Sequence, residues 1–105
     1  MNILLTGASS GLGGSLLKRL SNCSGMRIKV MVHRTLIDIA GCEPRQGDLD
    51  NPELLARAVD GVDTVVHMAA LTRSAKESEY FRVNVAGTQN LVNACILKGV
   101  KRIIY

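Results

Sequence analysis

The chain has 105 residues, of which 47% are hydrophobic and 3% aromatic, with no Trp; these values predict one small domain whose core is built from Val, Ile, Leu and Ala. The formal net charge of +4 comes from thirteen Lys and Arg scattered along the chain, which argues against nucleic-acid binding and favours an anionic ligand. The three widely spaced cysteines fit neither a disulfide framework nor a zinc site, and together with the absence of a signal sequence or a membrane-length apolar run they predict a cytoplasmic protein.

Strand-like and helix-like runs alternate from the start of the chain. Residues 2–6 form a short apolar run that predicts a buried strand, and residues 7–14 form a turn rich in Gly and Ser. Leu recurs at helical spacing in residues 11–22, which predicts a helix, and residues 27–33 predict a second strand. Residues 35–42 fit either a short helix or a loop.

A third strand is predicted at residues 44–48. Pro44 has no backbone N–H, so this strand is expected to begin there or to lie at an edge of the sheet. A helix follows that begins with Pro52, a favoured first residue, and that either Asp50 or Asn51 caps.

The last part of the chain adds two strands around a long helix. Residues 63–68 predict the fourth strand, and residues 78–98 predict a helix that Gly99 ends with a left-handed turn. Residues 102–105 begin a fifth strand. The buried stripe of the long helix is predicted to comprise Phe81, Val85, Leu91, Val92, Cys95 and Ile96. This alternation predicts an α/β fold with parallel strands and right-handed crossovers, formed by one domain over residues 1–105.

The Gly-rich turn is the most specific motif in the sequence. It lies between the first strand and the first helix, where Gly permits a tight turn and a close approach of the backbone to a pyrophosphate. The positive end of the helix attracts phosphates. The alternative is a Gly-rich turn that binds nothing, which the position at a strand–helix junction disfavours. The predicted cofactor-binding residues of the turn are Gly7, Ser9, Ser10, Gly11, Leu12 and Gly13.

Five motifs along the chain resemble those of the short-chain dehydrogenase/reductase superfamily; the Gly-rich turn fits two branches of it, and the four motifs after the turn resemble the extended branch. They occur in order and cover nearly the whole chain. They are the TGxxxGxG-like turn at residues 6–13, GDL at 47–49, HMAA at 67–70, NVAGTQNL at 84–91 and GVKRIIY at 99–105. The resemblance implies a Rossmann-type three-layer sandwich whose five parallel strands have the order 3-2-1-4-5.

The resemblance also implies roles for residues that follow the third and fourth strands. It places the adenine amino group at Asp48, with Leu49 packed nearby; the alternative for Asp48 is a helix N-terminal cap, and the two roles are compatible. It places the cofactor ribose against the small Ala69 and Ala70. Met68 is added to the predicted cofactor-binding residues, although it is also interpreted as a residue that fills the core.

Two further polar residues have competing interpretations. The resemblance implies that Asn84 supports the loop after the fourth strand near the nicotinamide end of the cofactor; the alternative is an exposed Asn. His67 is interpreted as a packed histidine at a strand end rather than as a catalyst.

The choice of dinucleotide is predicted from the end of the second strand. An acidic residue there would bind the 2′-hydroxyl of NAD, but this sequence has His33 and Arg34. A guanidinium binds a 2′-phosphate in a bidentate manner. We therefore expect NADP to be preferred, with NAD as the alternative.

No catalytic residue is predicted. The superfamily uses a Tyr with Lys four residues later, whereas Tyr80 is followed by Asn84 and Tyr105 is the last residue. We expect the chain to be the cofactor-binding part of a longer reductase or nucleotide-sugar epimerase that acts on a small-molecule substrate. The alternatives are a non-catalytic, redox-sensing NADP-binding module and a partly folded piece without function.

The open apolar edge at the fifth strand predicts self-association as a homodimer.

Overall fold

The structure of the protein is a computed structural model, which describes residues 1–7, 15–16, 18–20, 22–23, 25–32, 42–68 and 81–104. Five strands run along the chain: β1 (Asn2–Thr6), β2 (Arg27–Val32), β3 (Cys42–Gln46), β4 (Thr64–His67) and β5 (Arg102–Ile104). Three helices have defined first and last residues: helix α1 (Pro52–Ala58), a π-helix (Phe81–Gly87) and helix α2 (Thr88–Lys98). Residues 15–16 and 18–20 are also helical.

All five strands pair in parallel, in the order β3-β2-β1-β4-β5. β1 lies at the centre, where Leu5 pairs with Val30 on one side and with Val66 on the other. Short runs of Val, Ile and Leu suit such strands because helices cover both of their faces. The predicted Rossmann-type α/β fold and its strand order are therefore confirmed.

Alternate residues of β1 point into two separate cores. Leu4 is fully buried against α1 and α2, in a cluster that includes Leu55 and Leu91. Its neighbours Ile3 and Leu5 lie in a second cluster on the opposite face. That second cluster is covered in part by Leu16 and Leu20 from the first helical segment. Both faces of β1 are thus buried, which accounts for the three consecutive apolar residues Ile3, Leu4 and Leu5 at its centre.

The edge strand β3 begins and ends two residues earlier than predicted. Cys42 already pairs with Ile28, so the strand includes two residues before Pro44. Gly47 still donates a hydrogen bond to the carbonyl of Val32, at 3.0 Å, but it lies beyond the end of the strand. The prediction that Pro44 lies in an edge strand is confirmed.

Helix α1 is fixed at both of its ends. The Asn51 side chain accepts a hydrogen bond from the Leu54 backbone N–H at 3.2 Å, so Asn51 rather than Asp50 is the cap, and Pro52 begins the helix. At the other end, Arg45 of β3 donates to the carbonyl oxygens of Arg57, Ala58 and Asp60 at 3.1, 3.5 and 3.3 Å. A cation there complements the negative end of the helix dipole.

The single helix predicted for residues 78–98 is, over the described residues, a π-helix followed by α2. The wider π-helical turn breaks the 3.6-residue period on which the predicted buried stripe depended. Phe81 and Val85 are consequently 63% and 50% exposed, so their predicted burial was wrong.

Within α2, the predicted stripe is confirmed in part. Leu91 and Cys95 are buried and Val92 is half-buried, but Ile96 is 74% exposed. Ile96 is rotated by about 140° from Leu91 around the helix axis, because each residue advances by about 100°. Gly99 ends α2 in the left-handed conformation, with φ of 73°, as predicted. Among the described residues, no helix combines the length and apolar character that crossing a membrane would require.

Candidate cofactor-binding site

The carboxyl ends of the parallel strands bring several predicted site residues to one edge of the sheet. Gly7 follows β1, Asp48 and Leu49 follow β3 after one glycine, and Met68 follows β4. The strand order changes direction between β1 and β4, which is where ligands bind in open α/β sheets. Met68 donates its backbone N–H to the Thr6 carbonyl at 3.0 Å, so the ends of these two strands are held together.

Gly7 turns the chain at the end of β1. Its φ of 78° lies in the left-handed region that side-chain-bearing residues rarely adopt. The prediction of a tight turn at this position is confirmed. The remaining predicted residues of the Gly-rich turn, Ser9, Ser10, Gly11, Leu12 and Gly13, lie outside the described residues, as do His33, Arg34, Ala69 and Ala70.

The turn after β3 is ordered by its own side chains. The Asp48 carboxylate accepts a hydrogen bond from the Asp50 backbone N–H at 2.9 Å, which is an Asx-turn. The half-buried Leu49 packs against the core cluster beneath α1 and α2. Because Asn51 caps α1, Asp48 is not the N-cap that was its alternative interpretation.

Three residues of the π-helix and α2 contact this turn. Asn90 donates its side-chain Nδ2–H to the Leu49 carbonyl at 2.8 Å. Arg82 forms an ion pair with Asp50. Gly87 is buried so close to Leu49 that a Cβ atom placed on it would lie 3.0 Å from the Leu49 Cβ. None of these contacts was predicted, although Gly87 and Asn90 belong to the NVAGTQNL motif.

His67 is held between two threonines, as the interpretation of a packed strand-end histidine predicts. It is 8% exposed. Its Nδ1 lies 2.7 Å from the Thr6 hydroxyl and its Nε2 lies 3.0 Å from the Thr88 hydroxyl. Burial lowers the pKa of His67, so the neutral imidazole is favoured, with one ring nitrogen donating and the other accepting. The Thr6 hydroxyl also accepts from the Met68 backbone N–H at 3.1 Å.

Asn84 lies in the π-helix and is half-buried. Short π-helical segments widen the helix and are frequent at functional sites. This placement disfavours the alternative of a fully exposed Asn, and its role toward a cofactor stays a prediction.

Residues that could hold a metal ion are not grouped in the described part of the chain. The three cysteines are free thiols, of which Cys23 is exposed and Cys95 is buried. Burial raises the pKa of the Cys95 thiol to about 11, which keeps it protonated and inert.

The fold agrees with comparisons to known proteins. The model of the 3-beta hydroxysteroid dehydrogenase/isomerase family matches residues 4–105. A 2-alkyl-3-oxoalkanoate reductase of Stenotrophomonas maltophilia is 32% identical over 108 residues, which cover 100% of this chain and 32% of the reductase. A 3 beta-hydroxysteroid dehydrogenase/Delta 5→4-isomerase of Mycobacterium tuberculosis is 41% identical over 71 residues, or 60% of this chain and 19% of that protein.

A solved structure shows the same fold. MoeE5 in complex with UDP-glucuronic acid and NAD superposes with a TM-score of 0.84 at 34% identity, covering 98% of this chain and 35% of MoeE5. The chain therefore spans about a third of the length of the reductase and of MoeE5. With its family model matched from residue 4 to the last residue, the chain belongs to the 3-beta hydroxysteroid dehydrogenase/isomerase family, within the extended short-chain dehydrogenase/reductases.

Proposed function

We propose that this chain forms the binding site for the dinucleotide of an NADP-dependent reductase or epimerase. The observation that carries the proposal is the position of Gly7, Asp48 and Met68 at the carboxyl ends of three parallel strands, with Gly7 and Met68 on the two strands between which the strand order reverses. The positive φ of Gly7 is the left-handed conformation that a tight turn directly after the strand requires.

The residues at this edge suit the two halves of a dinucleotide. The Asp48 carboxylate can accept a hydrogen bond from an adenine amino group, with Leu49 beside it as an apolar contact. The Gly-rich turn from Gly7 to Gly13 would hold the pyrophosphate, and Asn84 would support the nicotinamide end. When bound, the cofactor supplies a hydride acceptor or donor at nicotinamide C4.

The preference for NADP rests on the end of β2. This strand ends at Val32, so His33 and Arg34 follow its carboxyl end directly, where the ribose 2′ position is read in this fold. The Arg34 guanidinium would bind a 2′-phosphate through charge-assisted hydrogen bonds. MoeE5 was solved with NAD, so the two dinucleotides have to be compared directly.

The reaction that we propose for the whole protein is hydride transfer between the nicotinamide and a carbonyl or hydroxyl carbon of a small molecule. The similar reductase, named for its action on 2-alkyl-3-oxoalkanoates, and MoeE5, solved with UDP-glucuronic acid, mark two substrate classes to assay.

Fluorescence titration of the purified chain with NADPH and with NADH tests the proposal. We expect saturable binding that favours NADPH, and Arg34→Ala should weaken NADPH binding by about tenfold while leaving NADH binding unchanged. Arg27→Ala is the matched control, because Arg27 is exposed at the opposite end of β2. Equal binding of both dinucleotides would contradict the NADP preference, and binding of neither would contradict the cofactor proposal.

A further inference from the structure

The turn that carries Asp48 and Leu49 is held in place by contacts with a segment that is distant in the sequence. The Asn90 side chain reaches the Leu49 carbonyl across 41 residues, and Gly87 packs against the Leu49 side chain. Arg82 adds an ion pair to Asp50. All three fastening residues belong to the continuous segment formed by the π-helix and α2, so this segment fixes the turn relative to the sheet.

These contacts differ in what they contribute. The Arg82 and Asp50 side chains are 54% and 46% exposed, and solvent-exposed ion pairs contribute little to stability. The hydrogen bond between Asn90 and Leu49 is partly buried, and both residues are half-buried. Removing its donor would leave a polar carbonyl shielded from water without that partner, which is the costlier change.

Gly87 acts through its lack of a side chain. A Cβ atom there would lie 3.0 Å from the Leu49 Cβ and 3.3 Å from its Cδ1. The Leu49 Cβ is attached directly to the backbone, so it cannot move aside without moving the turn. Asn90 and Gly87 thus constrain the turn through two kinds of contact with Leu49: a hydrogen bond to its carbonyl and close packing against its side chain.

We propose that Asn90 and Gly87 are positioning residues for the adenine half of the dinucleotide. They act through Leu49 and hold Asp48 at the distance at which its carboxylate accepts the adenine amino group. This inference rests on the proposed dinucleotide function. It predicts that loss of either contact weakens binding of the adenine half and leaves binding of the nicotinamide half unchanged.

The test uses the two halves of the cofactor as separate probes. AMP and nicotinamide mononucleotide are titrated into the isotope-labelled chain, and dissociation constants are obtained from NMR chemical-shift changes. In Asn90→Asp, which removes the Nδ2 donor at constant size, we expect the AMP dissociation constant to rise about three- to tenfold. The constant for nicotinamide mononucleotide should not change.

Asn93→Asp is the matched control, because Asn93 is exposed on the same helix and the substitution introduces the same charge. This variant should bind both probes like the unsubstituted chain. Gly87→Ala provides a second route to the same displacement and should also raise the AMP constant selectively. It remains informative if Asn90→Asp does not give a cooperative thermal melt.

The outcomes separate the two proposals. Unchanged AMP binding in a folded Asn90→Asp or Gly87→Ala variant overturns the positioning role while the dinucleotide function stands. Equal weakening of both probes also overturns it, because the effect would then be a general loss of structure. If the unsubstituted chain binds neither AMP nor NADPH, the proposed function fails and the positioning role fails with it.

Discussion

The Nε2 atom of His67, at the end of β4, lies 3.0 Å from the hydroxyl of Thr88, the first residue of α2. The other ring nitrogen of His67 lies 2.7 Å from the Thr6 hydroxyl. One buried imidazole therefore links β1, β4 and α2 through a row of three side chains. β1 and β4 are the strands between which the strand order reverses, so this row joins both strands beside the candidate site to α2.

Thr88→Val should destabilise the fold, because it replaces a hydroxyl by a methyl group of similar shape and leaves a ring nitrogen of buried His67 without that partner. We expect the free energy of unfolding to fall by about 1 kcal/mol, which corresponds to a decrease in melting temperature of about 5 °C for a chain of this size. Circular dichroism melts would measure it. Thr88→Ser keeps the hydroxyl and should retain most of the stability. Equal stability of the Val variant and the unsubstituted chain would contradict a stabilising hydrogen bond between Thr88 and His67.

The lowered pKa of His67 predicts a pH dependence of stability. The unfolded chain takes up this proton near the ordinary value of 6.5, whereas the folded chain resists it until a lower pH. The stabilisation is therefore complete above about pH 6.5 and is lost as the pH falls through the folded pKa. Urea unfolding between pH 7.5 and 5 should show a decreasing free energy of unfolding.

The chain has two histidines, which supplies the control for that experiment. His67→Gln should remove most of the decrease between pH 7.5 and 5, and His33→Gln should retain it. A decrease that persists in His67→Gln would assign the pH dependence to other groups.

Arg45→Met should loosen the contact between β3 and α1. The Arg45 guanidinium donates to three carbonyl groups at the end of α1, where the helix itself supplies no N–H donors. We expect a loss of about 1 kcal/mol in the free energy of unfolding, measured by urea denaturation. Arg57→Met is the control, because Arg57 is exposed on the last turn of the same helix. An equal effect of the two substitutions would argue against a specific capping role for Arg45.

Leu55→Ala should be the most damaging of these substitutions. Leu55 is fully buried in the cluster that α1 and α2 form with Leu4 and Val65, and such a cavity costs about 2–5 kcal/mol. A loss of this size is a large share of the stability of a small domain. Leu97→Ala, at a position that is 74% exposed, should change the melting temperature little. A Leu55→Ala variant that melts like the unsubstituted chain would show that this cluster does not hold the fold together.

Local sequence patterns predicted the parts of this fold that depend on neighbouring residues. Three features each depend on only a few neighbouring residues, and the structure confirms them. They are the apolar run of β1, the Asn51–Pro52 start of α1 and the left-handed conformation of Gly99. The parallel direction of the strands followed from their alternation with helices, and their order followed from the family resemblance. The position of Gly7 at the end of β1 was likewise predictable, because a Gly directly after an apolar run is a local signal.

The features that were missed depend on contacts between distant residues or on small differences in helical period. Phe81 and Val85 have the spacing of a buried α-helical stripe, and that spacing cannot reveal that the backbone widens into a π-helix. The contact between Asn90 and Leu49 joins residues 41 positions apart. A sequence can show that an Asn lies in a motif, but the carbonyl that it binds becomes evident once the turn and the helix are packed together.

Pro44 makes the two edges of the sheet differ in their ability to pair with a further strand. At one edge, β3 contains a residue without an N–H, flanked by Glu43 and Arg45, which form an ion pair with each other at 3.6 Å. At the other edge, β5 has an N–H on each of its three residues, and its Ile104 is 46% exposed. Charged side chains occur at both edges, because β5 carries Arg102, so the difference comes from Pro44. Proline deters strand addition, and a further strand therefore finds an interrupted hydrogen-bonding partner at β3 and an uninterrupted one at β5. The sheet is thus built to widen in one direction, away from the strand that carries the Asp48 turn.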